Sequence, residues 1–147
     1  MSKSDFLENA LLKLIFNATA IANIADNAAS SPLTNLYWSL HTADPGDAGT
    51  QATSETTYGS YARQAVLRTT GGMTAATAGS TSPVSNITFP AATSPTLPSV
   101  SSITYAGIGV AVSGTTSLLY SGPVTPNINV STGVQPILTT ASTVTED

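Results

Sequence analysis

The spacing of apolar residues near the N-terminus predicts an amphipathic helix. Ser4 is placed to cap it, and the acidic residues that follow suit the positive end of a helix dipole. The apolar stripe recurs every three or four residues, at Leu7, Leu11, Leu14 and Ala18, and is widened by Phe6, Ala10 and Ile15. We expect one helix that ends in the Ala/Asn-rich stretch before Pro32. Its stripe either covers a sheet of the same subunit or packs against a partner, and both alternatives stay open.

After Pro32 the repeat changes to two residues. Leu36, Trp38 and Leu40 alternate with Tyr37, Ser39 and His41, which is typical of a half-buried strand with Trp38 facing the core. A long polar loop over 43–60 follows. Further strands are predicted, with glycines and prolines between them, at 61–69, 73–77, 85–89, 103–111, 117–122, 127–130 and 135–141.

Short strands at roughly even spacing favour a two-layer, mainly β fold. We predict a jelly-roll-like β-sandwich of about eight strands with one N-terminal amphipathic α-helix. Residues 1–31 form a helical arm in this interpretation, and residues 32–147 form the β-sandwich domain. A chain of 147 residues is long enough for a single core.

Composition narrows the functional classes. Only 8% of the residues are charged, against about a quarter in typical soluble domains, and this favours a protein that sits in an assembly. The net charge of -4 provides no basic surface for nucleic acid. The chain has no cysteine, which excludes disulfides and thiolate sites. Lys13, Asn17 and Asn23 interrupt the apolar N-terminal run, so we expect no membrane segment.

The only histidine, His41, precedes two aspartates, Asp44 and Asp47, and the three could suggest a metal site. A closed metal site needs three or four protein ligands, and this chain offers one histidine and no thiolate. Asp44-Pro45-Gly46 is instead typical of a tight turn, in which the aspartate side chain bonds backbone amides. We therefore predict no metal and no cofactor, and we keep His41, Asp44 and Asp47 as candidate interface residues.

No catalytic residues are predicted. Ser39 and His41 lie two apart on one strand, so they point the same way without being oriented toward one another. The Gly-x-Ser-x-Gly elbow is absent, and paired carboxylates for glycoside hydrolysis are not apparent. Gly107 and Gly109 lack the third glycine of a dinucleotide motif and indicate close packing or a turn.

Arg63 and Arg68 stand out in a chain with four basic residues. On a strand that faces an acidic loop, they could form bidentate ion pairs with Asp44, Asp47 or Glu55, which would hold the loop or a neighbouring subunit. The alternative is that they are solvated strand charges. With the apolar helix residues Leu7, Leu11 and Leu14, they complete the set of candidate interface residues.

The chain also resembles a family of small tailed-phage virion proteins, often labelled tail fibre proteins. The resemblance runs from about Leu36 to the C-terminus and rests mainly on the "LHTADPG" segment and the later Tyr-Ala-Arg. The stretches that carry it are "YWSLHTADPGDAGTQATSETTYGSYARQAVLR", "NITFPAAT", "ITYAGIGVAVSGTTSLLYSGPVT" and "STGVQPIL". Proteins of this kind are also similar to jelly-roll cement or decoration proteins of phage heads.

The resemblance implies a non-enzymatic structural protein of the phage particle, made in the host cytoplasm. We expect a homotrimeric capsid cement protein that contacts the major capsid protein at the head surface, because the chain has no coiled-coil or repeated shaft. The alternative is a tail fibre, baseplate or tail adaptor component. Carbohydrate binding through Tyr58, Tyr61 and the Ser/Thr-rich loops stays open.

Overall fold

The protein is described from a computed structural model, which covers residues 4–21, 25, 32–94 and 101–146. These residues form one helix and eight strands. The helix is α1 (Asp5–Asn17). The strands are β1 (Asn35–His41), β2 (Gln64–Leu67), β3 (Ser80–Thr81), β4 (Ile87–Thr88), β5 (Ser101–Gly109), β6 (Leu118–Val130), β7 (Ile137–Leu138) and β8 (Val144–Thr145).

The strands form antiparallel sheets. A four-stranded sheet has the order β2-β1-β5-β6, while β3 pairs with β8 and β4 pairs with β7. The fold is therefore mainly β with one N-terminal helix, as predicted, and is consistent with a β-sandwich that follows a helix. No helix among the described residues is long and apolar enough to cross a membrane.

Several strand boundaries differ from the prediction. The predicted strands at 117–122 and 127–130 are one strand, β6, which runs through Pro123 and Pro126. Proline is tolerated there because β6 lies at the edge of its sheet, where fewer backbone N–H groups are needed for the ladder. The predicted strand at 73–77 is wrong, since Met73 and Thr77 take part only in isolated bridges.

The chain divides into two compact units. The helical unit contains residues 1–35, 66–87 and 138–147, and the sheet unit contains residues 36–65 and 88–137. The predicted boundary at residue 31 stays a prediction, because residues 26–31 lie outside the described residues. The buried apolar side chains of the sheet unit include Leu36, Trp38, Leu40, Tyr58, Phe89, Ile103, Ile108 and Val130.

The buried face of α1 is not the predicted one. Leu12 and Phe16 are almost fully buried, whereas Leu7, Leu11 and Leu14 are half-buried and Phe6 is 72% exposed. The Asn9 side chain accepts a hydrogen bond from the Gly79 N–H at 3.0 Å, next to β3. This contact lies within the helical unit, and α1 packs on β3 of its own chain. The tertiary contacts therefore select a helix face about one residue away from the predicted stripe.

Both ends of α1 have an identifiable cause. Ser4 accepts a hydrogen bond from the Leu7 N–H at 3.5 Å, which confirms the predicted N-cap. The helix ends at Asn17, well before Pro32, because Ala18 adopts a left-handed conformation with φ of 51°. The helix therefore ends at the first residue of the Ala/Asn-rich stretch in which its end was predicted.

Candidate functional site

A buried ion pair organises one end of the sheet unit. Arg63 Nε donates to Glu55 Oε1 and Arg63 Nη2 donates to Glu55 Oε2, both at 2.7 Å, so the pair is bidentate. The two side chains are 3% and 15% exposed. The hydrogen bonds to Glu55 raise the pKa of Arg63 above its ordinary value. Of the three partners predicted for Arg63, the structure selects Glu55.

Arg63 also bonds the loop that connects β5 and β6. Its Nη1 donates to the Ala111 carbonyl at 3.0 Å, and its Nη2 donates to the Gly114 carbonyl at 2.9 Å. Nη1 also lies 3.5 Å from the Thr116 hydroxyl. With the two bonds to Glu55, all five guanidinium N–H groups have an acceptor. Arg63 is therefore a structural cross-link between two loop segments.

Tyr61 extends this polar cluster to β1. Its hydroxyl donates to Glu55 Oε1 at 2.9 Å and accepts the Leu40 N–H at 3.0 Å. Burial is the main cause of a raised pKa at Tyr61. The ring of Tyr61 stacks on Phe89 with centroids 6.3 Å apart and meets the edge of Tyr58 at 5.3 Å. The Tyr61 ring therefore packs against two aromatic rings, and its hydroxyl both donates and accepts a hydrogen bond.

Tyr58 is also enclosed. It is 2% exposed, and its hydroxyl donates to the Pro90 carbonyl at 3.0 Å. Burial raises the pKa of Tyr58 to about 12. Tyr58 is therefore part of the core, whereas Tyr61 is half-buried, and carbohydrate binding through these residues stays a prediction.

His41 is completely buried at the end of β1. Its Nδ1 lies 2.8 Å from the Thr53 carbonyl, which can only accept, so Nδ1 carries the proton. Its Nε2 lies 2.9 Å from Ser39 Oγ and accepts a hydrogen bond from the Ser39 hydroxyl. Burial lowers the pKa of His41, and this effect exceeds the opposing effects of the Thr53 bond and of Glu55. His41 is therefore held as a neutral ring that fastens loop 42–55 to β1.

This geometry corrects two predictions about β1. Ser39 and His41 do contact each other, although two-residue spacing alone suggested otherwise. Both residues are also 0% exposed, so the second half of β1 is buried on both faces and is not half-buried. The reason is tertiary: β5 glycines and loop 50–56 cover the face that the alternation assigned to polar residues.

The two glycines of β5 make room for these polar side chains. A Cβ atom on Gly107 would lie 2.6 Å from His41 Nε2 and 2.8 Å from Ser39 Oγ. A Cβ atom on Gly109 would overlap the side chain of Gln51. The close-packing interpretation of Gly107 and Gly109 is therefore confirmed.

Gln51 is a contributor that the sequence analysis missed. It is fully buried; its Nε2 donates to the Tyr37 carbonyl at 3.1 Å. Its Oε1 accepts the Thr116 hydroxyl at 2.7 Å and the Ala111 N–H at 3.2 Å. The close glycine pair on β5 was the available signal, because it indicated that something large crosses this strand.

Asp44 forms the predicted turn. Its Oδ1 accepts the Gly46 N–H at 2.9 Å, and Gly46 has a φ of 70°. Asp44 and Asp47 are both exposed. The negative charge of Asp44 raises the pKa of Tyr105, which is half-buried. No group of three or more potential metal ligands occurs among the residues that the structure describes.

Arg68 has a different role, within the helical unit. Its Nε and Nη2 donate to the carbonyls of Ile15 and Leu14 at 2.6 and 2.8 Å, and its Nη1 donates to Leu33 O at 2.8 Å. The last turn of α1 contains no basic residue of its own. Arg68 therefore supplies both the missing hydrogen-bond donors and the positive charge that stabilises a helix C-terminus.

Of the eight candidate interface residues, the structure places Arg63 and His41 in the buried polar cluster of the sheet unit. Asp44 and Asp47 lie on its exposed turn, and Arg68 lies with Leu14 at the end of α1. Leu7 and Leu11 are half-buried on the same helix. An interface role for these residues stays a prediction.

The chain was compared with curated proteins and with protein families. No curated protein matches the chain. A protein family described as podophage GP4 fiber I protein gp80 matches residues 2–145, which is nearly the whole chain. The chain therefore belongs to the podophage GP4 fiber I protein gp80 family.

Proposed function

We propose that the chain is a non-enzymatic structural subunit of a podophage tail fibre. The observation that carries this proposal is the family match over residues 2–145. A phage fibre protein is a component of the virion. The family description favours the tail-fibre alternative over the capsid-cement prediction, which has no supporting observation beyond the fold class.

The distribution of charge supports assembly with other copies. Residues 69–145 contain no charged side chain, although they include six of the eight strands. Among the described strands, β6 has a neighbour on one side only, and it is 13 residues long. Soluble proteins usually protect long edge strands with charges, and β6 has only Pro123 and Pro126 for this purpose. Copies could therefore approach along this strand without repulsion between like charges, in the homotrimer that the sequence analysis predicts.

The buried cluster supports a structural role over a catalytic one. Ser39 and His41 are paired at 2.9 Å, the geometry of a nucleophile and its base, but both side chains are 0% exposed. A substrate would have no access to them. The pair instead satisfies the polar groups that the loop over β1 would otherwise leave buried and unbonded.

Location in the particle is the decisive test. We would compare cryo-EM maps of phage particles that carry the wild-type chain with maps of particles that carry a tagged chain. We expect additional density at the tail fibres and none on the head. Additional density confined to the head surface, in contact with the major capsid protein, would contradict the proposal and restore the cement prediction.

A further inference from the structure

The loop that follows β1 covers the ring of His41. Residues 42–54 lead from the end of β1 to Glu55, and we call them the covering loop. His41 is 0% exposed, and the Thr53 carbonyl of the covering loop accepts its Nδ1 proton at 2.8 Å. From the other side Gly107 approaches so closely that a Cβ atom on it would lie 2.6 Å from His41 Nε2. The pairing of β1 with β5 fixes Gly107, so the ring reaches water when the covering loop moves.

The covering loop is held mainly by hydrogen bonds. Pro45 and Gln51 are its buried residues, and the others are half-buried or exposed. The Thr42 N–H donates to the Ser54 carbonyl at 2.8 Å, and the Gln51 N–H donates to the Thr116 carbonyl at 2.9 Å, in addition to the side-chain bonds of Gln51. Water can replace these hydrogen bonds, and little apolar surface becomes exposed when they break. Such a segment can open while the rest of the fold persists.

The covering loop ends at a residue with an unfavourable backbone conformation. Ser54 has a φ of 53°, in the left-handed region that residues with a Cβ atom rarely adopt. The next residue, Glu55, is anchored by two bonds from Arg63 and one from Tyr61. Opening of the covering loop relieves the strain at Ser54 and leaves this anchor in place. Ser54 is therefore suited to act as the hinge.

The closed loop disfavours protonation of His41. A second proton can bind only at Nε2, because Nδ1 already carries one. Nε2 faces the Ser39 hydroxyl at 2.9 Å, so the new positive charge would have a neutral partner. Burial is the largest cause that lowers the pKa of His41; Arg63 lowers it further, and Glu55 opposes both. Water hydrates the imidazolium in the open form, which therefore binds the proton more tightly.

Other titratable groups surround His41 on the neighbouring segments. They are Asp44, Glu55, Tyr61, Arg63 and, opposite His41 on β5, Tyr105. The pKa values of the arginine and of both tyrosines are raised from ordinary values that already lie far above neutral pH. These three groups therefore keep their charge between about pH 5.5 and about pH 7.5. The two carboxylates are separated from His41 by the variant described below.

We propose that the covering loop is a pH-sensitive element: protonation of His41 releases residues 42–54 from β1, while β1 stays paired with β5. The open form has a histidine with an ordinary pKa of about 6.5, and the closed form excludes the proton. The ratio of open to closed molecules should thus rise about tenfold between about pH 7.5 and about pH 5.5. The inference does not depend on the proposed function, because it concerns the sheet unit of a single chain.

Amide hydrogen exchange of the full chain, measured by mass spectrometry at both pH values, provides the test. After correction for the intrinsic exchange rates, protection of residues 42–54 should be lower than that of β5 at each pH. It should also fall about tenfold at the lower pH. Urea at about 1 M should reduce the protection of β5 but hardly change that of the covering loop, because local opening exposes little surface.

Two variants complete the test. In His41→Gln the protection of residues 42–54 should no longer depend on pH, although Asp44 and Glu55 are retained. Ser54→Gly removes the strain from the closed loop, so it should raise protection at both pH values and keep the tenfold change.

Two outcomes would overturn the inference. One is a pH dependence that persists in His41→Gln with a native circular dichroism spectrum. The other is equal protection and equal urea dependence of the covering loop and β5 in the wild-type chain, since release would then require unfolding of the sheet unit. This second comparison decides the question even if His41→Gln does not fold.

Discussion

The Arg63 side chain joins three parts of the sheet unit: Glu55, the Ala111 carbonyl and the Gly114 carbonyl. An isolated surface ion pair contributes about 0 to 1 kcal/mol, whereas loss of one partner from a buried pair leaves an uncompensated charge. The side chains of Arg63 and Glu55 are 3% and 15% exposed, so this ion pair is a buried one. The stability of the sheet unit therefore depends on both partners being present.

Replacement of Glu55 by glutamine tests this dependence. We expect Glu55→Gln to lower the free energy of unfolding by about 3 kcal/mol, because the Arg63 charge stays buried without its counter-ion. Urea unfolding followed by circular dichroism provides the measurement. Asp47→Asn makes the same chemical change on an exposed turn and should alter the free energy by less than about 0.5 kcal/mol. Equal effects of the two changes would show that burial of the pair does not matter.

His41 predicts a dependence of stability on pH. The pKa of His41 is about 6.5 in the unfolded chain and is lowered in the fold, mainly by burial. Below pH 6.5 the unfolded state therefore binds more protons than the native state, and the free energy of unfolding decreases as the pH falls. The full contribution of His41 is present above the unfolded pKa and is lost toward the lower native pKa.

Urea unfolding at pH values from about 7.5 to about 5.5 would show this decrease. His41 is the only histidine, so no other side chain has an unperturbed pKa in this window. In His41→Gln the slope between these pH values should be much smaller. An unchanged slope in that variant would assign the effect to other groups, of which Glu55 and Arg63 are the charged neighbours.

Strand β5 packs closely on β1 because it has two glycines that face polar side chains. A Cβ on Gly107 would meet His41 Nε2, Ser39 Oγ and Leu118 Cδ1, each within 2.8 Å. We expect Gly107→Ala to lower the free energy of unfolding by about 2 kcal/mol, because two of these groups are fixed by hydrogen bonds and cannot move freely.

Gly122 on β6 provides a matched control. It lies in the neighbouring strand, opposite Ala106, and a Cβ there would have no atom within 4 Å. Gly122→Ala should be neutral or slightly stabilising, since alanine restricts the unfolded chain. Equal destabilisation by the two substitutions would mean that backbone conformation, and not the close approach to His41, requires glycine at position 107.

Helix α1 depends on a residue outside it. Arg68 bonds the carbonyls of Leu14 and Ile15 through two arms of one planar group. Arg68→Lys retains the charge but cannot reach both carbonyls in this geometry, so we expect a loss of about 1 kcal/mol, and about 2 kcal/mol for Arg68→Met. Amide hydrogen exchange in α1 measures the effect. Similar protection in all three proteins would contradict the capping role.

For the whole molecule, the absence of charge over residues 69–145 is the property most relevant to assembly. Leu119 is 40% exposed on β6. If copies meet along this strand, Leu119→Lys places like charges against each other and should shift the mass measured by light scattering toward the monomer. Thr132→Lys, exposed and outside β6, should leave the mass unchanged. A wild-type chain that is monomeric at high concentration would contradict self-association.

Features that depend on neighbouring residues followed from the sequence. The Ser4 cap and the Asp44-Pro45-Gly46 turn are satisfied by backbone groups two or three residues away. The change of repeat after Pro32 established a mainly β fold with one helix. The sequence also indicated an acidic partner for Arg63 as one of two alternatives, because few charges were available in the chain.

Features that depend on distant residues were decided by the tertiary structure. The buried face of α1, the burial of Ser39 and His41, and the continuity of β6 through its prolines depend on which segments pack against each element. Gln51 and Arg68 acquired roles only because folding brought them to carbonyls 14 to 54 positions away. The repeat of apolar residues predicts the type of element and its apolar face. Which side chains are buried is determined by residues that are distant in the sequence.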